Sequence, residues 1–333
     1  MTRSEHTYPG DVRELYERFP YPLPTSAAEP IFDTAIGVDL AFHDLDGRRV
    51  LDAGCGTGHR LVALALQFPD TSFLGLDFSS RSISVAEELA GRYGCANVEF
   101  VRAEIGGTPL GRRFDVITST GVIHHLPDPA AGVTWLAGHL EPDGAMYTWF
   151  YHLYGEYDRL LERRLIRLLA DTDGDVGRLL GDLKLSLSMV RYGSDTSHSA
   201  VDDEAHLAAT ADAYLHPIVN AYEFDAVPGL FAEQFPWAVV TGVNWPDGSG
   251  TINVADWSDT GFGVITAERL FAEPGTRAAF LALDPRAQLH CLELALRPTG
   301  FSVVCGRGAS LGWCTTRIQQ SVALANLCRR GGA

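Results

Sequence analysis

Three glycines and one aspartate have the spacing expected of a site for a nucleoside-containing ligand. Gly54, Gly56 and Gly58 follow a short apolar run that includes Asp52 and precede a helix-like pattern. A glycine-rich turn between a strand and a helix lets backbone N–H groups approach a polar ligand closely. Asp77 follows roughly twenty residues later, at the end of a second strand-like run, where a carboxylate accepts hydrogen bonds from ribose hydroxyls. Together these features predict a nucleoside-containing cofactor; for Asp77, a turn residue or helix cap is the simpler alternative.

The glycine spacing also argues against one class of cofactor. A dinucleotide site has the pattern G-x-G-x-x-G, whereas this loop has G-x-G-x-G and places His59 where the last glycine would stand. The pattern therefore counts against a nicotinamide-dependent oxidoreductase.

Histidine and tyrosine side chains after later strands are the candidates for proton transfer. His124 and His125 follow the fourth predicted strand, His152 and Tyr154 follow the fifth, and His216 ends a later insertion. Ligands of open α/β sheets bind at this carboxyl edge, and an imidazole can act as a base near neutral pH. We take His124, His152, Tyr154 and His216 as catalytic candidates. Loop shaping, rim packing and a surface turn remain their structural alternatives, and no metal site is predicted because no carboxylate lies at a ligand spacing.

The elements that must position these residues alternate between strand and helix. Alternation at this spacing predicts crossover units and an α/β fold, a Rossmann-like, doubly wound, mostly parallel seven-stranded sheet with an inserted helical lid. The predicted strands cover 50–52, 72–77, 98–101, 114–119, 145–150, 237–243 and 301–305.

The chain divides by pattern into a core and its additions. We expect the lid to cover the sheet edge and residues 8–24 to close the site from the other side. The predicted divisions are an N-terminal cap segment at 1–47, a cofactor-binding core at 48–154, an inserted helical substrate lid at 155–222, the remainder of the core at 223–308, and a C-terminal helix or tail at 309–333.

Charge and apolar patterning restrict the partners. The 333 residues carry 26 Lys plus Arg against 42 Asp plus Glu, a net charge of −16, and Lys184 is the only lysine. Phosphate binding needs a cationic face, so no nucleic-acid partner is expected. The sequence shows neither a run of about 20 apolar residues nor a signal peptide, which predicts a cytoplasmic protein without a membrane partner. A homodimer stays open.

The motifs resemble those of the class I S-adenosylmethionine-dependent methyltransferases. The match covers residues 48–152 in order. It rests on Val50-Leu51-Asp52-Ala53-Gly54-Cys55-Gly56-Thr57-Gly58, Leu74-Gly75-Leu76-Asp77-Phe78-Ser79, Phe114-Asp115-Val116-Ile117 with Gly121-Val122-Ile123-His124-His125-Leu126-Pro127-Asp128-Pro129, and Leu140-Glu141-Pro142-Asp143-Gly144.

The resemblance implies a role for each matching position. The glycine loop, with Cys55, would approach the methionine part of S-adenosylmethionine, and Asp52 would lie near its amino group. Asp77 would bind the ribose and Phe78 would pack on adenine. The remaining positions are Ala103, Glu104 and Ile105 at the adenine amino group, where Glu104 replaces the commoner Asp, and Ser119, Thr120 and His125 on the methionine side.

The leading hypothesis is methyl transfer to a small-molecule acceptor. An activated sulfonium mainly needs alignment and desolvation, so the family shares a cofactor site but no universal catalytic residue. The alternatives are a tRNA or protein methyltransferase, and a protein that binds a nucleoside cofactor without catalysis.

Overall fold

The computed structural model describes residues 12–22, 29–43, 45–173, 203–244, 251–253, 267–307 and 314. Within them, eight strands form one mixed sheet in the order β3-β2-β1-β4-β5-β8-β6-β7. The strands are β1 (Arg49–Ala53), β2 (Ser72–Asp77), β3 (Val98–Arg102), β4 (Phe114–Thr120), β5 (Leu140–Tyr151), β6 (Trp237–Asn244), β7 (Thr251–Asn253) and β8 (Gly300–Gly306).

The first five strands are parallel, and the order reverses between β1 and β4. β8 lies antiparallel to both β5 and β6. The predicted Rossmann-like, mostly parallel sheet is confirmed. The three-residue strand β7 extends it beyond the seven expected strands, pairing antiparallel with β6.

Helices cover the sheet and extend above its carboxyl edge. They are α1 (Val12–Arg18), α2 (Asp33–Ala41), α3 (His59–Gln67), α4 (Ser80–Tyr93), α5 (Pro129–Gly138), α6 (Leu153–Asp173), α7 (Asp203–Leu215), α8 (Val227–Phe231), α9 (Ala267–Leu270), α10 (Pro274–Leu281) and α11 (Pro285–Leu296). No helix of the described part has the length and apolar character needed to cross a bilayer.

Local sequence signals explain where the core helices begin. The Ser79 hydroxyl accepts the Ser82 N–H at the start of α4, and Asp128 does the same for Ala131 at the start of α5. Pro129 occupies the first turn of α5, where its missing N–H costs no hydrogen bond. These caps fix the strand-to-helix turns at the carboxyl edge of the sheet.

The predicted lid and N-terminal segment form one layer above this edge. Leu15 of α1, Ile166 of α6 and Tyr214 and Leu215 of α7 share a small apolar cluster that is separate from the sheet core. We call the assembly of α1, α6 and α7 the roof. Helix α1 therefore packs with α6 and α7, and not on the opposite side of the site as predicted.

Several predicted segments fall outside the described residues. These are most of the C-terminal helix or tail at 309–333, the middle of the lid at 174–202, and residues 1–11 of the cap. Cys314 is described and forms an antiparallel bridge with Phe42, which ends α2.

Candidate cofactor and acceptor site

The glycine loop has the backbone geometry that its sequence predicts. Gly54, Gly56 and Gly58 all have positive φ angles, of 82°, 53° and 76°, a region that side chains disfavour. A Cβ on Gly56 would lie less than 3.0 Å from the Tyr21 carbonyl oxygen, which leaves no room for one. The N-terminal segment therefore contacts the loop on one side, while the loop also lines the cavity.

Asp77 at the end of β2 holds the loop in place. Its Oδ2 accepts the Gly56 N–H at 2.9 Å and its Oδ1 accepts the Ser79 N–H at 2.8 Å. Burial raises the pKa of Asp77, and these backbone hydrogen bonds oppose that rise. With a further backbone hydrogen bond from Phe78, the carboxylate still keeps a lone pair that can accept a ribose hydroxyl.

Asp52 lies one strand away and is also buried. Its Oδ1 accepts the Thr118 hydroxyl at 2.8 Å. Burial raises the pKa of Asp52 to about 6, although the Thr118 hydrogen bond opposes the rise. Asp52 lines the cavity beside the glycine loop, where it can receive a ligand's ammonium group.

The predicted adenine contacts also lie together. Phe78, Ala103, Glu104 and Ile105 all line the same cavity. Arg13 of α1 forms an ion pair with Glu104, and its guanidinium lies 5.4 Å from the centre of the Phe78 ring. The roof thus reaches the predicted adenine end of the site.

A cavity of about 1100 Å³ runs from the glycine loop to the underside of the roof. Ligand cavities of about 300–1,000 Å³ bury most of a drug-sized molecule, so this one has room for a cofactor and a small acceptor together. Beyond the cofactor residues its walls include aromatic side chains, those of Tyr16, Tyr21, Tyr147, Trp149, Tyr151 and Tyr214, beside charged ones such as Arg159 and Asp212.

Family and structure comparisons agree with this geometry. Residues 44–169 match a family model described as a methyltransferase domain. The class I resemblance predicted from the motifs is confirmed.

The chain spans less than half the length of the curated relatives it matches. It is 30% identical to an uncharacterized protein of Synechococcus sp. over 49% of this chain and 42% of the relative. It is 35% identical to a ubiquinone biosynthesis O-methyltransferase of Neisseria meningitidis serogroup C over 31% of this chain and 44% of that enzyme.

The fold of nearly the whole chain has a solved counterpart. PKMT2 from Rickettsia typhi has a TM-score of 0.56 at 18% identity, covering 90% of this chain and 54% of that one. A structure of PKMT2 in complex with AdoHcy has a TM-score of 0.53. At this identity the likeness concerns the fold.

Two of the predicted cofactor residues do not line the cavity. Ser119 is fully buried and donates its hydroxyl to the Ala53 carbonyl at 3.0 Å. Gly58 caps the start of α3, and a Cβ there would lie 2.6 Å from Ala86 Cβ, so its role is helix packing. Thr120, Cys55 and the other predicted cofactor residues line the cavity.

His125 lines the cavity in a defined tautomer. Its Nδ1 lies 2.8 Å from the Ile218 carbonyl, which can only accept, so Nδ1 carries the proton. Burial, with smaller effects of His124 and His216, holds the pKa of His125 well below its usual value, so the ring is neutral. Its Nε2 can therefore accept a hydrogen bond in the cavity, and the ring carries no positive charge.

His124 and His216, two of the catalytic candidates, flank His125 without lining the cavity. His216 stacks on His125 with ring centres 3.7 Å apart, and His124 lies 4.3 Å from His125. Burial lowers the pKa of His216 to about 3, with Arg163 adding to the effect. Among the described residues, neither ring nitrogen of His124 has a hydrogen-bond partner. Both side chains shape the wall behind His125.

The other two catalytic candidates lie away from the cavity. His152 Nδ1 accepts the Tyr154 N–H at 3.2 Å, so its Nε2–H donates to Glu293 Oε2 at 3.0 Å. Glu293 also accepts Phe224 N–H at 3.0 Å. Tyr154 packs against His152 at 5.3 Å and, like it, does not line the cavity. The structure gives both residues a packing role at the base of α6.

Sequence reasoning missed a polar pair in the roof. The Tyr16 hydroxyl of α1 donates to Asp212 Oδ1 of α7 at 2.6 Å, and both residues line the cavity. Nothing in the spacing of residues 196 positions apart signals this contact. Within the described part, no cluster of three or more His, Cys, Asp or Glu side chains has a geometry for a metal.

Proposed function

We propose that this chain transfers the methyl group of S-adenosylmethionine to a small-molecule acceptor by in-line displacement in the roofed cavity. The observation that carries the proposal is the continuity of one cavity of about 1100 Å³ from the glycine loop to the aromatic walls beneath the roof. The 35% identity over 107 residues to a ubiquinone biosynthesis O-methyltransferase supports an acceptor of small size.

The chain's own residues fit the cofactor. The glycine loop accepts close approach of a ligand because Gly54 and Gly56 have no side chain, and the Asp77 carboxylate can receive a ribose hydroxyl. Phe78 and Ile105 offer apolar surface to adenine, and Asp52 offers a carboxylate to the amino group. When bound, S-adenosylmethionine supplies an activated methyl group on a positively charged sulfur.

The roof supplies alignment and water exclusion. Aromatic side chains such as Tyr21, Trp149 and Tyr151 present flat surfaces beside the methionine end of the site. Holding two reactants in the attack geometry contributes roughly 7–11 kcal/mol to lowering the barrier. Excluding water strengthens each electrostatic interaction inside the cavity.

Two measurements test the proposal. We expect calorimetry to show micromolar binding of S-adenosylhomocysteine and no binding of NADH. We also expect tritium from methyl-labelled S-adenosylmethionine, added with a cell extract, to enter the small-molecule fraction.

The Asp77→Ala variant is the control for that transfer. Label that precipitates with protein or RNA would support a macromolecular acceptor instead. Binding of the cofactor without any transfer would support a non-catalytic role, and binding of NADH in place of S-adenosylhomocysteine would refute the proposal.

A further inference from the structure

The polar pair in the roof places one carboxylate over the cavity in a controlled orientation. Asp212 is only 7% exposed and lines the cavity, and its Oδ1 accepts the Tyr16 hydroxyl at 2.6 Å. Arg163 of α6 donates to the Asp212 and Ala213 carbonyl oxygens, which fixes this end of α7. No described residue donates a hydrogen bond to Asp212 Oδ2. The carboxylate therefore keeps one oxygen for a ligand.

Ring contacts locate this pair above the cofactor. The Tyr16 ring lies 6.0 Å from Phe78, at the adenine end, and 5.7 Å from His216. His216 stacks on His125, which lines the predicted methionine side. The Tyr16–Asp212 pair thus lies between residues of the predicted adenine end and of the predicted methionine side, where a bound acceptor would face the methyl group of the cofactor.

The other acidic side chains of the cavity are committed elsewhere. Glu156 is ion-paired through Oε2 with Arg159, although its Oε1 is buried without a hydrogen-bond partner among the described residues. Asp33 receives three hydrogen-bond contacts from the Arg60 guanidinium. Asp52 and Asp77 belong to the cofactor site, as described above. Asp212 differs from Glu156 in that no described arginine side chain forms an ion pair with its carboxylate, which leaves this carboxylate on the acceptor side of the cavity for a ligand.

The charged and titratable neighbours of Asp212 come from four elements. They are Tyr16 and Tyr21 from the N-terminal segment, Arg60 from α3, Tyr151 from β5, and Glu156, Arg159 and Arg163 from α6. Burial raises the pKa of Asp212, while the Tyr16 hydrogen bond and the arginine charges oppose the rise. Such a carboxylate is a stronger base than an exposed one. Burial holds the pKa of His125 well below its usual value, which weakens that ring as a base.

We propose that Asp212 is the general base of the transfer and that Tyr16 is its positioning residue, an inference that rests on the proposed function. As the acceptor's oxygen or nitrogen bonds to the methyl carbon, the carbon–sulfur bond breaks and its electron pair stays on sulfur. The acceptor's proton passes to Asp212 Oδ2 and then to water. The acceptor therefore belongs to the class of molecules that attack through a group bearing an O–H or N–H proton.

Paired phenols test the proton transfer. Phenol must lose a proton to be methylated, whereas 4-nitrophenol at pH 9 is already ionised. We expect Asp212→Asn to lower kcat for phenol by about 100-fold or more, since a general base contributes that much. For ionised 4-nitrophenol we expect a change of less than about threefold, because that reaction needs no base.

The controls separate catalysis from folding. The Asp212→Asn amide oxygen can still accept the Tyr16 hydroxyl, so thermal unfolding and S-adenosylhomocysteine affinity should stay close to wild type. Tyr16→Phe should give an intermediate loss with phenol. Asp225→Asn, at a half-exposed side chain paired with Arg286 outside the cavity, should behave as wild type. Equal losses for both phenols, or none for phenol, would overturn the assignment.

A titration of Asp212 tests the assignment even if neither phenol is methylated by the protein. The aspartate carboxyl carbons are labelled, the protein is saturated with S-adenosylhomocysteine, and the Asp212 signal is identified by carbon NMR as the one missing from Asp212→Asn. The midpoint pH of the Asp212 titration should lie above the pKa of ~3.9 of an unperturbed aspartate. A midpoint at or below that value would overturn the inference. Failure of the wild type to bind S-adenosylhomocysteine would instead count against the proposed function.

Discussion

Gly56→Ala tests whether the N-terminal segment forms a wall of the cofactor site. The new Cβ would lie less than 3.0 Å from the Tyr21 carbonyl oxygen, a backbone atom that cannot rotate away. Tyr21 and Pro22 must retreat, which breaks the bonds that Thr57 donates to their carbonyls from its N–H and hydroxyl. We therefore expect the substitution to detach this segment from the loop.

The cost can be estimated in two parts. An alanine at positive φ costs about 1–2 kcal/mol. Each lost hydrogen bond costs a further 0.5–1.5 kcal/mol or so, about 1–3 kcal/mol for the two. The hydrogen-bond cost arises from detaching the N-terminal segment. Expressed as a loss of binding free energy, it corresponds to a loss in S-adenosylhomocysteine affinity of about 5- to 150-fold.

Gly111→Ala is a matched control for this prediction. Gly111 has a φ of 66°, and nothing lies within 4 Å of its Cβ position, so it incurs the backbone cost alone. Calorimetry with S-adenosylhomocysteine and thermal unfolding should show both variants destabilised, but only Gly56→Ala impaired in binding. Equal S-adenosylhomocysteine affinities of the two variants would refute the claim that the N-terminal segment forms a wall of the cofactor site.

Three further changes separate binding, scaffold and roof. Asp77→Ala should weaken S-adenosylhomocysteine binding at least about tenfold by calorimetry, because each lost charge-assisted hydrogen bond is worth roughly 1.5–3 kcal/mol; unchanged affinity in a folded variant would contradict the ribose assignment. His152→Ala should destabilise the protein to urea by about 1–3 kcal/mol and leave that affinity nearly intact, since it removes a hydrogen-bond donor from the buried Glu293 carboxylate. Burial favours a higher pKa for Glu293, but hydrogen bonds led by that from His152 hold the pKa below its ordinary value. The wild type should therefore lose more stability than the His152→Ala variant as the pH falls below ~4.3. Equal loss of stability in acid would contradict the role of His152 in lowering the pKa of Glu293. Leu15→Ala should cost roughly 2–5 kcal/mol in the roof, whereas Leu168→Ala, at an exposed side chain of α6, should be nearly silent in the same thermal unfolding assay; similar losses would disprove the roof cluster.

The parallel core and the cofactor end of the site were predictable because their signals are local. Strand-length apolar runs predicted β1 to β5, and glycine spacing with Asp77 located the loop. A three-residue strand such as β7 is too short to show a period, so the sequence could not reveal it.

The acceptor end was harder to predict because side-chain direction and distant pairing decide it. His152 follows β5 at the correct edge, yet its ring turns to Glu293, which stands 141 residues later. Tyr16 and Asp212 meet from segments that are 196 residues apart. No period or motif encodes such contacts, so the proposed base emerged from the fold alone.

The separate apolar cluster of the roof should make the roof easier to open than the sheet beneath it. α1, α6 and α7 share only a small group of buried side chains, while the sheet core unites all of β1, β4, β5 and β8. Segments with few buried apolar contacts open at a lower free energy than global unfolding. Backbone amides of the roof should therefore exchange with deuterium well before those of the central strands. Such a local opening would separate the N-terminal helix from α6 and α7 and widen the cavity while the sheet stays folded.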